Sequence, residues 1–167
     1  MDYIIRTLNQ EDILEVQNFL AKQLADLFNA EGQGAVTDDV WGLGDTYIKP
    51  QRNQMWAAFS PNGQVVGTIA VCTYNNRFEE LQGRYPEGLA AEVGRCYIAE
   101  SLRRQGLGAK LLQSAEQFVR EQGYTFMYLH THHFLPGGYN FWLKNNFVVT
   151  MDIGGSYELV HMEKMLK

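Results

Sequence analysis

The stretch AEVGRCYIAESLRRQGLGAKLLQSAEQFVREQG, residues 91–123, constrains the fold more than any other part of the chain. It reads as a strand, a glycine-bearing turn and a long helix with Leu107, Leu111, Ala115 and Phe118 on one stripe, widened by Leu112 and Val119. A helix patterned this way packs one face on a sheet. A strand that turns directly into a helix also leaves backbone N–H groups without acceptors at the helix start, where the helix dipole favours an anion. Gly106 and Gly108 remove side chains that would keep a bulky anion from those groups, and Arg103 and Arg104 add positive charge beside them. A phosphate or pyrophosphate is the natural guest.

The remaining segments supply a mixed sheet. Tyr3 to Leu8 reads as a short strand, and Asn9 as the cap of a helix whose apolar positions Ile13, Val16, Leu20, Leu24 and Leu27 carry it to near Asn29. The segment from Ala30 to Gln51 has no clean period and several glycines, which predicts a loop with at most one short helix. Two strand-like runs, NQMWAAF and QVVGTIAVCTY, meet at Pro61-Asn62-Gly63, where glycine supplies the positive φ of a hairpin turn. After the central strand and helix come the strand TFMYLHTHH, a short helix from about Gly138 to Asn145, and the runs NFVVTMDI and SYELVHMEKM split by Gly154-Gly155-Ser156. This order predicts one α/β domain over residues 1–167, with helices on both faces of a mostly antiparallel sheet. The two terminal strands are also able to pair across a homodimer.

Composition narrows the partners. The formal net charge of −5 on 167 residues gives no general attraction to nucleic acid or anionic lipid and mildly favours a cationic small molecule. The N-terminus has no basic start followed by an apolar core, and no apolar run approaches the about 20 residues that span a bilayer, so the expected location is cytoplasmic. Cys72 and Cys96 lie in strand-like segments and read as buried free thiols rather than a disulfide or a nucleophile.

Two familiar phosphate loops fit badly. The P-loop needs Lys and Ser or Thr after its last glycine, whereas Gly108 is followed by Ala109 and Lys110 with no hydroxyl residue next. The dinucleotide fingerprint needs a small residue where Leu111 stands and an acidic residue about 20 positions on. The pattern that is met is Arg or Gln, two residues, Gly, one residue, then Gly or Ala, in Arg103-Arg104-Gln105-Gly106-Leu107-Gly108. In its place between strand and amphipathic helix this resembles the acyl-CoA-binding motif of the GNAT superfamily of N-acetyltransferases, and the order of elements extends the resemblance over most of the chain. It implies a sheet of about seven strands with two splayed to form an acyl-CoA cleft. It implies that backbone N–H groups of Gln105, Gly106, Leu107 and Gly108, with Ala109 and Lys110, bind the pyrophosphate of acetyl-CoA. The edge of Cys96, Tyr97 and Ile98 would hold the pantetheine arm as an added strand, with the thioester near Tyr97 and Ile98 and no resident metal.

Acyl transfer to an amine needs a neutral amine, a polarised carbonyl and a proton donor for the thiolate. Glu92 is the leading candidate base, at a spacing from Arg103 that resembles the catalytic glutamate of the histone-acetylating branch. His130 and His132, which alternate onto one face of the next strand, are the runner-up. A zinc site from His130, His132 and His133 fits poorly, because alternation turns His133 away and no thiol or carboxylate completes it. The family often places a tyrosine five residues before the phenylalanine of its late Gly-Phe. Here that position is Trp142, which would contact the cofactor but is no practical acid. Tyr139, three residues earlier, is the expected proton donor. The acceptor is expected to be a primary amine of a small molecule or peptide, taken in a cleft of aromatic and acidic residues such as Trp41, Tyr47, Phe78, Asp39 and Glu80. Protein lysine acetylation and a non-catalytic acyl-CoA sensor remain open alternatives.

Overall fold

The first strand, β1 (Ile4–Thr7), is followed by a 3₁₀ turn at Gln10–Asp12 and by helix α1 (Ile13–Phe28) in a computed structural model that describes residues 2–28 and 37–167. The expected end of α1 near Asn29 lies outside the described residues. Asn9 caps this start: its backbone N–H donates to the Asp12 carboxylate at 2.8 Å, and Arg6 holds the same carboxylate. Helix α2 (Asp38–Trp41) and a single π-helical turn, Gly44–Ile48, follow. The hairpin forms as read: β2 (Gln54–Phe59) and β3 (Val65–Thr73) are joined by a turn in which Ser60 N–H donates to the Gln64 carbonyl at 2.9 Å. Then come β4 (Ala90–Ile98), α3 (Leu107–Glu121), β5 (Phe126–His132), α4 (Gly138–Lys144), β6 (Val148–Gly154) and β7 (Leu159–Met165).

The seven strands form one sheet in the order β1-β2-β3-β4-β5-β7-β6. Among the described residues only β4 and β5 run parallel, as the crossover through α3 requires. The terminal strands pair with each other within the chain, leaving β6 at the free edge.

Each face carries its own core. Leu107, Leu111, Leu112, Ala115 and Val119 of α3, together with Trp142 and Phe147, pack on Ile69, Val71, Ala91, Val93, Met127 and Leu129. Val16, Leu20, Leu24 and Phe28 recur at every fourth residue of α1 and pack with Val40, Leu43 and Tyr47 on Met55, Ala57 and Ala70. A third cluster of Tyr74, Leu81, Tyr85 and Tyr128 is closed by the segment between β3 and β4.

Two irregularities in β4 position the site. Thr68 pairs with Tyr97 and Ala70 with Gly94, so Arg95 and Cys96 together face Ile69: a β-bulge, with Arg95 at φ +50°. The Thr68 hydroxyl donates to the Arg95 carbonyl at 2.7 Å and fixes it. The extra residue inverts the alternation, so Val93 and then Cys96 and Ile98 face the α3 side while Tyr97 turns to the α1 side. Second, β4 and β5 pair only from Ala90–Phe126 to Glu92–Tyr128. Beyond that point β4 continues on β3 and β5 on β7, and the two strands part.

Candidate active site

The opening between β4 and β5 begins at Glu92 and Tyr128. Glu92 is buried, and both of its oxygens are held by the Arg77 guanidinium, at 2.6 Å and 2.7 Å. Arg77 comes from the β3–β4 segment and lies 4.6 Å from the Phe78 ring centre. Burial pushes the Glu92 carboxyl up, but the Arg77 hydrogen bonds and the neighbouring His130 outweigh it and hold the group at about 2. His130 Nδ1 stands 3.5 Å from Glu92 Oε2 and has no hydrogen-bond partner among the described residues. The ring of Phe78 meets His130 edge-on at 5.3 Å. Behind this group Tyr128 bonds to His161 Nδ1 at 2.7 Å, and His161 Nε2 bonds to Glu80 at 2.8 Å. Because a carboxylate only accepts, His161 Nε2 carries the proton and its Nδ1 accepts the phenol hydrogen.

Further along β5, His132 faces the α1 side: its ring meets Phe28 at 5.5 Å and Phe134 at 5.2 Å, and its Nδ1 lies 2.6 Å from the Tyr157 carbonyl. His133 lies beyond the strand, bonded to Asp152 at 3.0 Å and beside Tyr139 at 4.8 Å between ring centres. Across the opening, Arg95 at the bulge clamps Asp39 through two hydrogen bonds of 2.7 and 2.8 Å, and Asp39 also accepts from Tyr47 at 2.8 Å. Burial raises the Asp39 carboxyl, and the Arg95 pair outweighs it, leaving it at about 2. This clamp ties α2 to β4. Burial pushes both the Cys72 and the Cys96 thiol up to about 12, so neither is a ready thiolate.

At the far end of the opening, the first backbone bond into α3 runs from Lys110 N–H to the Gly106 carbonyl at 3.2 Å. The N–H groups of Leu107, Gly108 and Ala109 therefore have no acceptor within the helix. The two motif glycines have different reasons. Gly106 caps α3 at φ +86°, and a Cβ there would meet nothing within 4 Å, so its surroundings are open to a guest. A Cβ on Gly108 would lie 3.3 Å from the Phe141 ring, so its missing side chain lets α4 seat against α3. The two arginines also differ. Arg104 is exposed, whereas Arg103 turns back to the Ile98 carbonyl at 3.1 Å and to Gln23 at 3.4 Å. Gln105 bonds to the Ser101 carbonyl at 3.2 Å, and Ala109 and Lys110 are exposed.

Trp142 sits in the core on the α3 side, edge-on to Phe147 at 5.3 Å, and its neighbour Phe141 rather than its own ring faces the loop. The expected aromatic and acidic cleft is divided among the clusters: Trp41 is exposed, Tyr47 is buried against Asp39, Phe78 covers His130, and Glu80 serves His161. Arg77 and Arg95 were not anticipated. For Arg95 a local signal existed, because a glycine inside a strand, here Gly94, often marks a bulge. For Arg77 none did.

A family model described as the Acetyltransferase (GNAT) family matches residues 19–147. Over 71 residues, 40% of the chain, the sequence is 32% identical to GCN5-related N-acetyltransferase 7, chloroplastic, of Arabidopsis thaliana. The match covers 26% of that protein, so the chain spans about a quarter of the length of this curated relative. The fold is shared with a GNAT-family acetyltransferase from Staphylococcus aureus Mu50, at a TM-score of 0.78 and 19% identity over 99% of this chain and 100% of the other. It is also shared with PaiA N-acetyltransferase of Thermoplasma acidophilum, solved with coenzyme A, at 0.74 and 20% over the same shares. A ribosomal-protein-alanine N-acetyltransferase from Brucella melitensis aligns at 0.73 and 16%, over 98% of this chain and 99% of its own. With the family model spanning well over half of its residues, this chain belongs to the GNAT family of acetyltransferases, whose general reaction is acetyl-CoA-dependent N-acetylation.

Proposed function

We propose that this protein transfers an acetyl group from acetyl-CoA to a primary amine of a small molecule or peptide, the amine attacking the thioester directly. The observation that carries this reading is the parting of β4 from β5 after Glu92 and Tyr128, in line with unpaired N–H groups at the start of α3. In this reading the N–H groups of Gln105 to Gly108, with Ala109 and Lys110, take the pyrophosphate, and the open surroundings of Gly106 leave room for it. The coenzyme A arm of the Thermoplasma acidophilum protein is the kind of extended chain that the edge of Cys96, Tyr97 and Ile98 would accept as an added strand. Arg103 already engages the Ile98 carbonyl, so it braces this edge rather than the phosphates.

The Arg77–Glu92 ion pair fixes the foot of the opening, and the net charge of −5 suits a cationic acceptor. Tyr139, half-buried on α4 beside His133, is the proposed proton donor to the departing thiolate. Trp142 supports α4 from within the core.

The test is calorimetric titration with acetyl-CoA, followed in the same sample by a thiol-release screen over polyamines, amino acids, aminoglycosides and peptides with free N-termini. Binding with release for one of these classes is the expected result. Binding without release for any of them would replace the enzyme by an acyl-CoA sensor, and absence of binding would overturn the cofactor assignment.

A further inference from the structure

Three titratable groups stand on the two strands that part, Glu92 on β4 and His130 and His132 on β5, and they differ in what they have left to offer. Both oxygens of Glu92 are occupied by Arg77, so a proton reaching Glu92 must first displace a bidentate guanidinium. His130 is held beneath Phe78, with Nδ1 turned toward Glu92. His132 is arranged differently. Its Nδ1 lies 2.6 Å from the Tyr157 backbone carbonyl. A carbonyl can only accept, so Nδ1 carries the hydrogen and Nε2 keeps its lone pair. No hydrogen bond to Nε2 is formed among the described residues. The rings of Phe28 and Phe134 hold the imidazole from two further directions.

Register then places the residue. Counting on from the Glu92–Tyr128 pair, and adding the extra residue of the bulge, His132 corresponds in strand position to Cys96 and Tyr97, where the two strands no longer pair. Tyr97 and the aromatic neighbours of His132 belong to the same core on the α1 side, so the imidazole and the Tyr97 stretch share a face.

We propose that His132 is the general base of the reaction, accepting the acceptor's proton at Nε2, while the Arg77–Glu92 pair acts as a positioning element beneath it; this rests on the acetyltransferase reading above. The acceptor enters as an alkylammonium. His132 takes one proton from it and releases that proton to solvent. The freed nitrogen lone pair forms the C–N bond at the thioester carbon, the C–S bond breaks with its electrons going to sulfur, and the second nitrogen proton ends on the thiolate through Tyr139. The products are the acetamide, the coenzyme A thiol and one proton.

Burial lowers the tendency of His132 to protonate, against the opposing pull of the Tyr157 carbonyl. The charged or titratable groups facing it are His130 on its own strand, which adds to the lowering, and Glu158 in the β6–β7 turn, which opposes it. From α1 and from the segment after β5 the uncharged rings of Phe28 and Phe134 meet it. The base form therefore prevails at neutral pH.

The test uses the full chain, with the amine the screen identifies. His132→Asn keeps a donor for the Tyr157 carbonyl and removes the base. It should bind acetyl-CoA as the wild type does and lower kcat/KM by about 10²- to 10⁴-fold. It should also lose the acidic limb of the pH profile that an imidazole imposes, leaving only ionisation of the amine. Glu92→Gln, which loosens Arg77, should slow the reaction but keep that limb. Long-range proton–nitrogen NMR of the wild-type ring should show hydrogen on Nδ1 and none on Nε2. A ring with hydrogen on Nε2, a His132→Asn enzyme that keeps the limb and rate, or loss of the limb in Glu92→Gln would each overturn the proposal. A wild type that binds acetyl-CoA and releases no thiol with any amine overturns the acetyltransferase reading and this one together.

Discussion

Glu92 shows how far a single side chain can depart from what its position in the sequence suggests. The segment around it marks a strand next to a cofactor loop, and a glutamate there reads as a free base. In the folded chain it is a buried anion whose stability depends on Arg77, 15 residues earlier. Holding the carboxyl at about 2 rather than at its ordinary 4.5 is worth about 3 kcal/mol to the folded state. A lowered carboxyl stabilises the fold above its unfolded value, and that contribution is lost as pH falls toward the folded one. Glu92→Gln should therefore lose about 3 kcal/mol at pH 7, and the gap to wild type in urea unfolding should close between about pH 4.5 and about 2. A gap that stayed constant over that range would mean the pair contributes through shape rather than charge. Gly106 gives a second residue-scale prediction. At φ +86° with no atom within 4 Å of a would-be Cβ, Gly106→Ala meets conformational strain but no clash. It should cost about 1–2 kcal/mol, a fall of roughly 3–6 °C in Tm. The motif presents its two glycines as equivalent, and only the Phe141 contact at Gly108 separates them.

At the scale of elements, local patterns were legible and long-range pairings were not. The four-residue spacing of Val16, Leu20 and Leu24, the Asn62–Gly63 turn and the stripe on α3 are each contained within a few residues, and all three elements form where they were read. The bulge at Arg95 is different, because its position depends on Thr68 and on an acid 56 residues away in sequence. Arg95 and Asp39 are both largely shielded from solvent, so removing either partner strands the other. Arg95→Ala and Asp39→Ala should each destabilise by about 3–5 kcal/mol. The double variant should fall short of their sum by about 2 kcal/mol, because no uncompensated charge then remains. Urea unfolding of the four proteins, read from midpoints at constant m, closes this cycle. Additive losses would mean that α2 is held to β4 by packing on Val40 and Tyr47 and not by the ion pair.

For the molecule as a whole, the decisive feature is that a sheet can part between two strands without losing either. β4 is paired with β3 around its bulge, and β5 with β7 from Phe126 to His132, so each strand keeps one complete neighbour where the two diverge. Sequence period two tells which side chains share a face but not which strand lies alongside, so about seven strands and a splayed pair were readable through the family resemblance, while the spatial order, with β7 between β5 and β6, and the parting point at Glu92 and Tyr128 were not. An extended ligand seated there would join the half of the sheet that carries α1 to the half that ends in β6, and a ligand that binds the folded state alone stabilises it. Acetyl-CoA at about 100 times its Kd should therefore add about 2.7 kcal/mol, which for a chain of this size raises Tm by roughly 5–10 °C. Amide hydrogen exchange should locate the effect, with new protection at residues 93–98 of β4, at 129–132 of β5 and at the start of α3, and little change in β1 and β2. A rise in Tm accompanied by protection confined to the outer strands would place the ligand elsewhere on the molecule. Protection along only one of the two parted edges would mean that the opening closes on the ligand from a single side.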